Sequence, residues 1–116
     1  MMAGALSVHA VDVTRGQVAV GLKLELHGGD GALIASGRIT QTGLADCTEA
    51  FARPLTPGRH ILRFWVADYY RQRGNDVSDV PFLDVARFDF EAGAPDFHIH
   101  LPFKFSPWGY SLFRGN

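Results

Sequence analysis

The chain has 116 residues, 47% hydrophobic and 20% charged, the length and balance of one globular domain spanning residues 1–116 around a single core. A net charge of −1 excludes a nucleic-acid surface built on excess lysine and arginine. No apolar run approaches the roughly 20 residues that cross a bilayer, and MMAGALSVHAVD has no basic segment followed by an apolar one, so a cytoplasmic protein with no membrane partner is expected.

Leu6 to Val13 alternates, with Leu6, Val8 and Ala10 on one face and Ser7, His9 and Val11 on the other. This is a first strand carrying an outward imidazole. Thr14-Arg15-Gly16-Gln17 turns the chain into the cleanest alternation, Val18 to Leu26, read as one strand. His27-Gly28-Gly29-Asp30-Gly31 supplies hairpin glycines, and Ala32 to Thr40 returns as a third strand. Gln41 to Pro57 mixes polar residues with Gly and Pro and predicts a loop with at most a short edge strand. It contains Cys47, the only cysteine, so no internal disulfide can form.

Pro57-Gly58 turns into a core strand from Arg59 to Val66. Asp68 then caps a short helix over Ala67 to Arg73, which Gly74 ends. After a polar loop, Leu83 to Glu91 is a further strand, and Gly93-Ala94-Pro95 leads to the most informative stretch. From Phe97 onward, Phe97, Ile99, Leu101, Phe103 and Phe105 share one face, while His98, His100, Pro102, Lys104 and Ser106 share the other. Ser106-Pro107-Trp108-Gly109 turns the chain back into a strand from Tyr110 to Arg114. Seven to eight short strands and one helix predict an all-β protein, an antiparallel β-sandwich.

The outward faces gather the chemistry. Histidine titrates near neutral pH, so His9 and His100 read as a pair able to orient and deprotonate a water. His98 and His100, at i and i+2, could instead join His9 in holding a metal.

Three segments resemble motifs of the transthyretin-related 5-hydroxyisourate hydrolases. They are Leu6-Ser7-Val8-His9-Ala10-Val11-Asp12, Gly58-Arg59-His60-Ile61-Leu62-Arg63-Phe64, and the end of the chain. At that end, Phe97-His98-Ile99-His100-Leu101-Pro102, Ser106-Pro107-Trp108-Gly109-Tyr110-Ser111 and Phe113-Arg114-Gly115-Asn116 parallel the family's His-Tyr-His-Val-Pro, Ser-Pro-Tyr-Gly-Tyr-Ser and Tyr-Arg-Gly-Ser. The resemblance implies a transthyretin-like sandwich of two four-stranded sheets, assembled as a homotetramer with sites between dimers. It implies a small cyclic substrate and no metal or organic cofactor. His9 and His100 are the catalytic positions it carries over, with Asp46, His98, Lys104, Arg114, Gly115 and Asn116 expected to bind substrate.

Two departures stand out. The family's Thr-Asn-x-Asp-Gly-Arg-Cys loop is here Thr40-Gln41-Thr42-Gly43-Leu44-Ala45-Asp46-Cys47, one residue longer, with a carboxylate where the arginine stands. The tail has Phe113 and Asn116 in place of two hydroxyl residues. The expected function is hydrolysis of a cyclic amide in a purine-derived or related heterocycle. The alternatives are a non-catalytic small-molecule carrier of the transthyretin type and a histidine-based metal-binding tetramer.

Overall fold

The computed structural model describes residues 6–74, 80–93 and 98–115. Its strands form two four-stranded sheets. In spatial order the first sheet holds β2 (Gln17–Val18), β1 (Leu6–Asp12), β7 (Ile99–Ser106) and β8 (Gly109–Leu112). The second holds β4 (Leu33–Arg38), β3 (Lys23–Gly28), β5 (Gly58–Trp65) and β6 (Val85–Ala92). Two short helices, α1 (Thr48–Ala52) and α2 (Val66–Gln72), follow β4 and β5.

Period-2 patterning sets which faces meet. Leu6, Val8 and Ala10 of β1 and Ile99, Leu101, Phe103 and Phe105 of β7 are all buried, and their neighbours in sequence are more open. Opposite them lie Leu24, Leu26, Leu62 and Phe64. Phe64 and Phe103 stack nearly parallel across the sandwich, with ring centroids 4.0 Å apart and planes at 10°. Burying one such side chain contributes about 1.5–3 kcal/mol.

Several expectations are corrected. The alternation from Val18 to Leu26 is two strands, not one: a turn around Gly21, held at φ +89, carries the chain from the first sheet to the second. A left-handed φ favours glycine, so the break has a chemical marker. The segment expected as a loop contains α1, whose Phe51 enters the core. Within the mainly antiparallel sandwich, β1 and β7 pair in parallel. Asp68 does not cap α2: the cap position is Trp65, without a side-chain hydrogen bond, and Asp68 pairs with Arg71 at 2.9 Å. Phe97 lies outside the described residues, and β7 begins at Ile99.

One buried polar knot joins helix to sheet. Asp12, at the end of β1, is completely buried. Its carboxylate accepts hydrogen bonds from Tyr70 Oη (2.7 Å), Tyr69 Oη (3.2 Å) and the Thr14 amide (3.0 Å). Arg73 lies over the Tyr69 ring at 4.2 Å and donates to the Val20 carbonyl, tying the end of α2 to the turn between the sheets. Among the described residues, no helix is long and apolar enough to cross a membrane.

Candidate active site

The outer face of the first sheet carries the histidines. Parallel pairing sets Ser7 opposite His100 and His9 opposite Pro102. Because successive side chains alternate, Ser7, His9, His98 and His100 project from the same side. Ser7 Oγ stands 2.6 Å from His100 Nδ1 and 3.0 Å from His98 Nε2, so two imidazoles converge on one hydroxyl. His9 is near enough to raise the cost of charging His100. Burial first, then the neighbouring His9 and His98, hold the His100 imidazole below its usual value, which favours the neutral ring.

Two glycines let the backbone close around these rings. Gly43 sits at φ +85 and is buried, and a Cβ there would lie 2.4 Å from His9 Nε2. The loop is docked along β1 by Ala10 N to Gly43 O (3.0 Å) and Ala45 N to Val8 O (3.1 Å). Gly115 donates its amide to the His100 carbonyl at 2.7 Å, and a Cβ there would lie 2.9 Å from His100 Cδ2. A Gly43→Ala variant is therefore expected to lose about 1–3 kcal/mol from the strained backbone alone. It should also displace His9. A lower urea midpoint with shifted His9 imidazole resonances checks both.

The remaining expected residues divide. Arg114 donates from Nη2 to the His98 carbonyl at 3.2 Å, which brings a guanidinium to the cluster. Lys104 shares the strand face but is exposed four residues beyond His100, with Nζ 6.0 Å above the Phe113 ring. Asp46 turns elsewhere: its Oδ1 accepts from the Arg38 amide at 2.9 Å, bracing the end of β4 in the second sheet, and it makes no hydrogen bond to a histidine among the described residues. Asn116 lies outside the described residues.

Among the described residues, no three His, Cys, Asp or Glu side chains are grouped to hold a metal. Two imidazole nitrogens meet the Ser7 hydroxyl, which gives no support to the metal-binding alternative. Burial, reinforced by Asp46, pushes the Cys47 thiol up to about 11, so it stays protonated near neutral pH. Ser7 was not among the expected site residues. Its place on the same strand face as His9 is the signal that points to it.

Two four-stranded sheets with three histidines on one outer face define a transthyretin-type sandwich whose face is equipped for proton transfer. The sequence profile of the HIUase/Transthyretin family matches residues 6–115, and the chain belongs to that family. It is 34% identical to the 5-hydroxyisourate hydrolase of Pseudomonas aeruginosa, over 97% of this chain and 92% of that one. The 5-hydroxyisourate hydrolase of Caulobacter vibrioides is also 34% identical, over 96% of this chain and 97% of its own.

Solved structures agree in fold. (S)-allantoin synthase matches with a TM-score of 0.88 and 27% identity, and the chain covers 44% of that longer protein with 98% of its own length. Klebsiella pneumoniae 5-hydroxyisourate hydrolase matches with a TM-score of 0.81 and 30% identity, over 97% of this chain and 99% of that one. Sea bream transthyretin in complex with thyroxine matches with a TM-score of 0.75 and 25% identity, over 94% and 92%.

Proposed function

We propose that the chain is a hydrolase of the 5-hydroxyisourate hydrolase type, opening a cyclic amide in a small purine-derived heterocycle by histidine-assisted attack of water. The observation that carries this reading is a His100 imidazole biased to the neutral form and held at 2.6 Å by Ser7. The names of the curated relatives support the substrate class.

The hydroxyl of Ser7 has one proton to give, which fixes how the cluster can work. For His100 to accept a proton from water at Nε2, its Nδ1 must carry hydrogen and donate it to Ser7 Oγ. Ser7 then donates its own proton to His98 Nε2. In this arrangement Ser7 and His98 are positioning residues that hold the reactive tautomer of His100. His9 is the second catalytic imidazole, placed beside the reacting group to orient the water. Arg114 supplies the cation that balances charge developing on the amide oxygen, the task the loop arginine would otherwise serve. Lys104 and Gly115 extend the substrate-binding surface. Asp46 braces the loop instead of binding the ring. Three imidazoles on one face favour chemistry over carriage as in the transthyretin reading.

A homotetramer with its sites between dimers fits this reading. Leu44 and Phe113, 41% and 47% exposed, offer apolar surface for a second copy to cover. Freshly generated 5-hydroxyisourate, followed by ultraviolet absorbance, is expected to decay faster with the protein than without it. Light scattering on the same sample should give four times the mass of one chain. Unchanged decay in the presence of folded tetramer sinks the substrate assignment, and a monomeric mass sinks the assembly.

A further inference from the structure

A largely apolar pocket lies against the other sheet. After α1, residues Arg53, Pro54, Leu55 and Thr56 pass over Ile34 of β4 and His60 of β5, enclosing a cleft of about 240 Å³. Ile34, Pro54 and Leu55 give it an apolar wall. His60 is 2% exposed and stacks on Phe90 at 5.6 Å.

The hydrogen bonding of His60 is one-sided. Its Nδ1 is 3.0 Å from the Gly58 carbonyl, which can only accept, so Nδ1 carries hydrogen and the lone pair of the neutral ring lies on Nε2. Nε2 has no hydrogen-bond partner among the described residues, yet no fully enclosed side-chain nitrogen or oxygen among them lacks one. Nε2 therefore keeps some exposed surface, and His60 is among the residues that line the cleft. The Arg53 guanidinium is also without an ion pair or hydrogen bond among the described residues, whereas Arg59, Arg71 and Arg87 each hold a carboxylate. A nearly buried acceptor, an unpaired guanidinium and an apolar wall thus line one cavity, separate from the histidine face.

We propose that this cleft is a small-molecule site for a single-ring monocarboxylate carrying a hydroxyl. The carboxylate pairs with Arg53, whose planar donors match two oxygens at once. The ring lies against Ile34 and Leu55, and the hydroxyl donates to His60 Nε2. The volume is below the roughly 300–1,000 Å³ of sites for drug-sized ligands, which limits the occupant to about one ring.

The test uses 4-hydroxybenzoate as the probe, with benzoate and 4-hydroxybenzyl alcohol as partners that lack the hydroxyl and the carboxylate. Titration followed by nuclear magnetic resonance should move the His60 imidazole and Ile34 methyl signals to saturation. Losing a hydrogen bond to a charged group weakens binding about tenfold or more, so the alcohol and the exposed-site variant Arg53→Gln should both bind that much more weakly. Affinity measured on His100→Ala should match that of the unsubstituted protein. Equal affinity in Arg53→Gln, no saturable shift at millimolar probe, or shifts confined to His9, His98 and His100 would each overturn the assignment.

Discussion

Replacing His100 with alanine is expected to slow 5-hydroxyisourate hydrolysis by about 10²–10⁴-fold, the usual contribution of a positioned general base. The fold should survive, because His100 stands on the outer face of its sheet and not in the core. Ser7→Ala is the informative companion. If Ser7 only packs, its loss changes little; if it holds the His100 tautomer, kcat falls while KM holds, and the pH profile moves with it. Because burial, His9 and His98 hold the His100 imidazole below its usual value, the acid limb of kcat/KM should lie below about pH 6.5. His98→Asn removes one of the like charges and should move that limb upward. The same shift has a stability sign. Between the usual and the lowered value the unfolded chain holds more protons than the folded one, so this histidine makes the fold less stable as pH falls through that window. An acid limb at or above the ordinary histidine value would remove His100 as the base.

The second large effect is structural. Asp12→Ala should cost about 3–5 kcal/mol, because it strips a fully buried carboxylate from partners that cannot reach water. Tyr70→Phe, which deletes one donor and keeps the ring, should cost only about 1–2 kcal/mol. Urea unfolding with an unchanged slope measures both. Equal midpoints for Asp12→Ala and the unsubstituted protein would mean that α2 is held by its rings alone. Those rings are present: Tyr69, Tyr70 and Phe105 meet edge to face at 5.0–5.8 Å.

Much of this arrangement was legible in the sequence, for reasons that also mark the limits. Period-2 patterning identified the faces of β1 and β7 because one side of each is in the core. It could not reveal that the two strands lie parallel, since alternation records which side is buried and not which strand is the neighbour. It also ran unbroken through Gly21, because Val18 and Val20 continue the even-numbered apolar series of Leu22, Leu24 and Leu26, although Ala19 is the residue buried before the turn. Five-residue α1 is too short to display a helical period. His9 and His100 could be singled out by residue type. The orientation of Asp46 could not, because a carboxylate at the missing arginine's position can equally turn to a backbone amide, as it does toward Arg38.

The parallel contact of β1 with β7 has a consequence in time. Ser7 and His100 are 93 positions apart, so the hydroxyl and imidazole meet only after nearly the whole chain has been made. At synthesis rates of about 5–20 residues per second, β1 waits on the order of 5–20 s for its partner on that side. Among the described residues, the other backbone partners of β1 during that wait are the β2 segment through Ala19 and the Gly43–Ala45 segment. Long-range pairing of this kind also slows folding once the chain is free. The histidine face is thus among the last parts of the molecule to form, and a nascent chain that stalls before Ile99 has an apolar strand without its principal neighbour.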